Sequence, residues 1–233
     1  AVRVDFAWRD CASLASFGAV DIKNCTNFTS SWQSCTSLTS FPSGAKLGTE
    51  ATNVNFTSAW QQSGLTSFST PLPTATFMNY AFLQCFNLTS FSVQELPEVV
   101  FMQQTFQNNP LTSFSTSLPK IRHLAFSFFS CSSLTDFSAD VFTNWSPTSI
   151  VTGVFHNTWD GCTALTAQSV ENILTSIDAS GQYATSTGAS GGTALGDAGI
   201  DIDYNVSTGT PAYSTLASLK SKGWSIIVNN VTL

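Results

Sequence analysis

A repeat β-solenoid of about seven coils of 22–31 residues, closed by a small C-terminal α/β cap, is the fold class the sequence predicts. Three observations predict it: a recurring tetrapeptide, an aromatic at a near-constant distance ahead of it, and the loss of both after residue 168.

Leu-Thr-Ser-Phe occurs at 38–41, 65–68, 88–91 and 111–114, with Leu-Ala-Ser-Phe at 14–17, Leu-Thr-Asp-Phe at 134–137 and a degenerate Leu-Thr-Ala-Gln at 165–168. Five or six residues before each leucine stands an aromatic: Trp8, Trp32, Trp60, Phe82, Phe106, Phe128 and Trp159, spaced 24, 28, 22, 24, 22 and 31 residues apart. The aromatic is expected to open a turn. Leu and Phe, three apart, then face inward while the pair between them faces out. A second extended piece precedes the next aromatic, as in Val-Asn-Phe at 54–56 and Val-Val-Phe at 99–101. A lone unit of this size cannot bury its apolar face, and stacking at the ~4.8 Å strand spacing makes the core continuous. Pro42, Gly44, Pro71, Pro73, Pro97, Pro119 and Pro147 fall between the extended pieces, where corners belong.

Past residue 168 the signals change. Val170, Ile173, Leu174 and Ile177 follow helical spacing, so a helix is expected over 168–178. Residues 179–198, rich in Gly, Ala, Ser and Thr, read as a long flexible loop. Residues 199–204 alternate like a strand. Thr210 and Pro211 suit an N-cap and first turn, Leu216 and Leu219 give a helical face, and Gly223 stops it. A closing strand is expected over 224–228. Residues 1–168 are therefore read as the repeat region and 169–233 as a capping segment of the same domain, because terminal units of a stack need a polar cover.

Composition bounds the function. Only 9% of the 233 residues are charged, against roughly 25% in an ordinary soluble domain. The 34 serines and 30 threonines take their place, while a 42% hydrophobic fraction supports a packed core and not disorder. No run approaches the ~20 apolar residues of a membrane-spanning helix, so no membrane insertion is expected. Eight scattered Lys and Arg in a chain of net charge −6 give no basic face for nucleic acid. The chain opens at Ala1 without a basic-then-apolar leader, which reads as a signal peptide removed or never present.

Five of the six cysteines, Cys11, Cys35, Cys85, Cys131 and Cys162, fall three residues after the unit aromatic. Ser63 and Asn109 hold that position in the other two units, and Cys25 lies off the column. A slot that takes Cys, Ser or Asn reads as a small buried turn position with free, core-packed thiols, ahead of disulfides between neighbouring coils or a metal. His123 and His156 lie in no nucleophile or metal motif, and the local carboxylate pairs, Glu95 with Glu98 and Asp136 with Asp140, read as solvated corners. Asp201, Asp203 and Asn205 could open a calcium loop, but Val206 and Ala212 stand where such a loop needs Gly and Glu. Seven Asn-x-Ser/Thr sequons, at Asn24, Asn27, Asn55, Asn87, Asn144, Asn205 and Asn230, follow from the hydroxyl-rich composition. The expectation is no enzyme and no cofactor.

The run at 65–88, with its strand ending in Pro, second strand and Ala-Phe-x-x-Cys-x-x-Leu turn, resembles the BspA-like leucine-rich repeat. The Trp-x-x-Cys-x-x-Leu-Thr-Ser-Phe-Pro version at 32–42 is similar to the variant in mycoplasma surface lipoproteins and in virion proteins of tailed phages, cyanophage-like ones included. Ser-Val-Glu-Asn-Ile-Leu, an Asp-Ile-Asp strand and Lys-Gly-Trp resemble the segment that follows these repeats in phage and bacterial surface proteins. The resemblance covers 1–168 and beyond, and implies a leucine-rich-repeat-like solenoid with surface exposure and no shared active site.

The expected function is thus a non-enzymatic surface protein: a virion component (tail, fibre or capsid ornament) or an adhesin, located on a virion or cell surface. Its expected partners are other virion or cell-surface proteins, or a host surface glycan, with self-association allowed. The alternative is a glycan- or ice-binding hydroxyl array. The candidate array is the outward ladder Thr39, Ser40, Thr66, Ser67, Thr89, Ser90, Thr112, Ser113 and Thr135, which Asp136 interrupts. Exposed threonine is also an ordinary β-former.

Overall fold

Each repeat folds around a turn centred on its aromatic residue. The residues two before it (Phe6, Ser30, Ser58, Tyr80, Gln104, Phe126, Asn157) and two after it (Asp10, Ser34, Gln62, Gln84, Asn108, Ser130, Gly161) are all left-handed, with φ between +48° and +75°. That conformation costs about 1–2 kcal/mol at each non-glycine position. Hydrogen bonds between units hold it. Phe6, Trp8 and Asp10 donate their N–H groups to the carbonyls of Thr29, Ser31 and Gln33, each at 2.9 Å. Ser30, Trp32 and Ser34 do the same onto Thr57, Ala59 and Gln61 at 2.8–3.0 Å. The residues between donate back within their own turn, as Ala7 N–H does to Val4 (3.1 Å) and Cys11 to Trp8 (3.2 Å). The strained turn and the neighbouring unit are therefore stabilised by one network.

This computed structural model describes residues 2–195 and 199–233. Ala1, where the expectation about a leader falls, and 196–198, the end of the expected loop, lie outside the described residues.

The predicted regular leucine-rich-repeat-like β-solenoid does not form. In the repeat region the strands have two or three residues and divide among separate sheets. One sheet joins Val2–Arg3, Cys25–Asn27, Val54–Asn55 and Ala75–Phe77. Three more are single pairs: Asp21–Ile22 with Lys46–Leu47, Ser67–Phe68 with Ser90–Phe91, and Ser113–Phe114 with Asp136–Phe137. All pair in parallel, and register shifts interrupt the first sheet at Val2/Arg3 and Val54/Asn55. Among the described residues there is no continuous sheet and no closed barrel. Two causes account for the difference. Left-handed residues follow each strand of the first sheet, at Phe6, Ser30, Ser58 and Tyr80, and units of 22–31 residues cannot keep one register. What stacks is turns, tied at intervals by short parallel strands.

The stack is filled by two columns of rings. Trp8, Trp32, Trp60, Phe82, Phe106 and Phe128 stack in sequence at centroid separations of 5.0–5.6 Å. Phe17, Phe41, Phe68, Phe91, Phe114 and Phe137 form the second column at 5.5–6.2 Å. Within each unit the two rings meet edge to face, as Trp60 and Phe68 do at 4.8 Å. Both geometries suit the ring quadrupole. The repeat leucines Leu38, Leu65, Leu88, Leu111, Leu134 and Leu165 are fully buried beside them.

The last unit is followed by helix α1 (Ala167–Ala179), whose N-cap Thr166 accepts from the Ser169 N–H. It covers the strand Asp136–Phe137: Ser169 Oγ accepts the Phe137 N–H at 3.0 Å, and Asn172 Nδ2 donates to the Phe137 carbonyl at 2.9 Å. Gly199–Ile202 pairs in parallel with Ser225–Val228, with the short helix α2 (Leu216–Ser221) between them, and Val231–Thr232 adds an antiparallel edge. Trp159 bridges in parallel to Ile202, so this sheet continues from the last turn. The expected flexible loop after α1 is pinned where it is described. Ala184 is buried, its N–H donates to Lys222 O at 2.9 Å, and Thr185 bridges Ala194.

Candidate functional site

The outward ladder is exposed at Thr39, Ser40, Thr66, Ser67, Thr89, Thr112 and Ser113, and half-buried at Ser90 and Thr135. Four of its five threonines are already engaged. Thr66 Oγ1 donates to Thr39 O at 3.2 Å, Thr89 to Thr66 O at 3.2 Å, Thr112 to Thr89 O at 3.4 Å and Thr135 to Thr112 O at 3.0 Å. Each backbone N–H donates to the same carbonyl at 3.0–3.2 Å. The hydroxyl protons are spent along the stack, so these threonines turn only oxygen lone pairs to solvent. Ser90 Oγ pairs with Ser92 Oγ (3.1 Å), and Thr135 Oγ1 also reaches Asp136 Oδ2 (2.7 Å). A uniform array of free donors and acceptors is not what this face presents.

The thiol column is internal wiring. Cys35, Cys85, Cys131 and Cys162 donate to the aromatic carbonyl of the preceding unit, respectively Trp8, Trp60, Phe106 and Phe128, at 3.0–3.1 Å. All six thiols are free, and only Cys11, in the first described unit, is exposed. Burial pushes Cys35 and Cys85 up to about 11 and Cys131 up to about 12, and it raises Cys25 and Cys162. A thiol reagent applied to the folded protein is expected to modify Cys11 rapidly and the other five only after unfolding. Unfolded thiols ionise from about pH 8.5. The folded ones keep their protons, so the unfolded state binds fewer protons above that pH and stability falls as pH rises past about 9. Denaturant midpoints at about pH 7 and pH 10 should show the decrease; equal midpoints would refute it.

Asn109 is the misfit in this column. It is buried, and neither amide atom has a hydrogen-bond partner among the described residues. Asn109→Cys removes both unsatisfied groups and places a thiol where its counterparts bond the preceding unit. A gain of about 1–2 kcal/mol is expected in urea unfolding, and a loss would contradict this account of the column.

The local carboxylate pairs lie at the surface, with Glu95, Glu98, Asp136 and Asp140 all exposed. Glu98 is ion-paired with Lys120 at 2.7 Å, and Asp136 accepts from Thr135. Asp203 instead meets the last turn, where its Oδ2 accepts the Gly161 N–H at 3.0 Å. Burial, and then the Asp203 charge, raises the pKa of Asp160 there. Asn205 caps the single turn Val206–Thr208, which differs from a calcium-loop course. Among the described residues, no three His, Cys, Asp or Glu side chains converge for a metal. His123 is half-buried, which lowers its pKa, and His156 stands edge-on to Phe126 at 5.1 Å.

A groove of about 320 Å³ across the second, third and fourth turns was not foreseen. Ser34, Thr36, Gln62, Ser63, Gly64, Gln84, Phe86 and Asn87 line it, and none of these side chains is charged. Gln62 and Gln84 both sit at left-handed positions two residues after their aromatic, and Gln62 Nε2 donates to Gln84 Oε1 at 3.0 Å. Gly64 lets two turns close up, because a Cβ there would lie 2.1 Å from the Thr36 carbonyl oxygen. Phe86 is 65% exposed at the rim. The sequence carried a signal for it. Four residues after the unit aromatic stand Ala12, Thr36, Gly64, Phe86, Pro110, Ser132 and Thr163, and only Phe86 breaks the run with a large ring. A second groove, of about 360 Å³, lies between the corners at Pro71, Pro73 and Pro97.

No protein-family model, curated protein or solved structure matches the chain. Among the described residues no helix is long and apolar enough to cross a membrane.

Proposed function

We propose that the chain is a non-enzymatic, surface-exposed structural and binding module, set on a virion as part of a tail, fibre or capsid ornament, or on a cell surface as an adhesin. The observation that carries the binding role is the contrast between interior and exterior. Two continuous ring columns fix the stack, while the exterior is sparsely charged and rich in hydroxyls and amides. Its few lysines are largely paired, with Glu50, Asp21, Glu98 and Asp178. A rigid scaffold with a shallow, uncharged contact surface suits recognition more than proton transfer. The virion or cell-surface setting rests on the sequence resemblance.

Ice binding draws no support from the ladder, whose threonine donors point along the stack. The test is sedimentation of the purified chain with cell envelopes and with assembled particles. Saturable binding to either is expected, and no saturable binding to both would overturn the proposal.

A further inference from the structure

The groove beside Phe86 combines three features that no other surface of the described chain combines. Its rim carries a large apolar ring, 65% exposed and with no cation over it. Phe6, the other exposed phenylalanine, lies against the Arg9 guanidinium at 5.6 Å. Its wall carries an oriented amide pair. Gln62 Nε2 uses one of its two N–H donors on Gln84 Oε1, which orients the pair so that Gln62 keeps a carbonyl oxygen and Gln84 a two-proton amide nitrogen with no partner among the described residues. Its floor is Gly64, whose N–H bonds Cys35 O at 3.1 Å and which cannot be replaced without striking the second turn.

We infer that this groove binds a neutral carbohydrate, with a sugar ring lying on Phe86 and its hydroxyls shared between Gln62 and Gln84. The ring of a sugar has one face of C–H groups and an equator of hydroxyls, which matches an exposed aromatic face beside a fixed acceptor and donor. An ionic ligand would need a compensating charge, and the lining holds none. An extended peptide would need a free strand edge. Here the backbone is turns whose N–H groups are spent between units: Gln62 N–H on Leu83 O and Gln84 N–H on Gln107 O. The inference rests on the binding-module reading and gives it a ligand class.

An array of neutral and acidic oligosaccharides, probed with the wild type, Phe86→Ala, Phe86→Trp and Gln84→Ala, tests it. The wild type is expected to bind neutral glycans, Phe86→Ala to lose roughly tenfold or more in affinity, Gln84→Ala to weaken binding, and Phe86→Trp to retain it. Phe86 lies outside the core, so folding is checked by an unchanged unfolding midpoint. Preference for acidic glycans, or neutral-glycan binding unaffected by Phe86→Ala, overturns the inference. Sedimentation with envelopes treated with periodate separates it from the broader proposal. Binding that survives glycan oxidation sinks the carbohydrate while sparing the module, whereas no binding to untreated envelopes or particles sinks both.

Discussion

Trp60→Ala is expected to destabilise the protein by about 3–5 kcal/mol, and Trp60→Phe by no more than about 1 kcal/mol. Trp60 is fully buried, stacked on Trp32 at 5.4 Å and Phe82 at 5.0 Å, with Phe41 and Phe68 edge-on at 5.4 and 4.8 Å. Alanine opens a hole in the first column and strips an edge-on partner from the second, and the inter-unit hydrogen bonds on either side limit how far the turns can close over it. Phenylalanine is what Phe82, Phe106 and Phe128 already are at the equivalent position. It also removes the Trp60 Nε1–H, a buried donor with no partner among the described residues, so part of the lost contact is offset. Urea unfolding of both variants measures the difference. Equal losses would mean that the column is not a set of interchangeable ring positions.

The second large effect is expected at Gly64. A Cβ there would lie 2.1 Å from the Thr36 carbonyl oxygen and 2.9 Å from its carbon. Both are backbone atoms held by the stack, so relief requires moving a turn and weakening the Gly64 N–H bond to Cys35 O at 3.1 Å. Gly64→Ala is expected to cost about 3 kcal/mol. Gly44→Ala is the control: nothing lies within 4 Å of its Cβ position, and its effect should be close to zero. Comparable midpoints for the two variants would show that the turns do not approach as closely as described.

The sequence made the interior legible and the backbone much less so. Leu and Phe three apart, with an aromatic five or six residues ahead, identified the side chains that fill the stack, because burial is what repeated hydrophobic spacing encodes. The same spacing suggested a regular solenoid, and a turn at each aromatic was legible, but its left-handed backbone was not, because the left-handed residues are Ser, Gln, Tyr, Asn, Asp and Phe, with a glycine only at Gly161. Residue type does not announce φ at such positions. Hydrogen bonds to the next unit impose it, and those exist only once the units are stacked. The thiol column was visible as a position, but its bond to the preceding carbonyl was not. The meeting of Asp203 with the last turn, some forty residues away in sequence, left no local trace. At the groove, Phe86 was visible as a break in pattern, while the amide pair depends on Gln62 and Gln84 falling at the same place in successive turns.

Whether the working surface is the groove or the ladder is decided most directly by amide chemical-shift mapping of the isotope-labelled chain, titrated with neutral oligosaccharides from the surface to which it sediments. Shifts concentrated at Ser34, Thr36, Gln62, Gly64 and residues 84–87, absent in Phe86→Ala, are the expected result. Shifts running instead along Thr39, Thr66, Thr89 and Thr112, with the groove unmoved, would contradict the account.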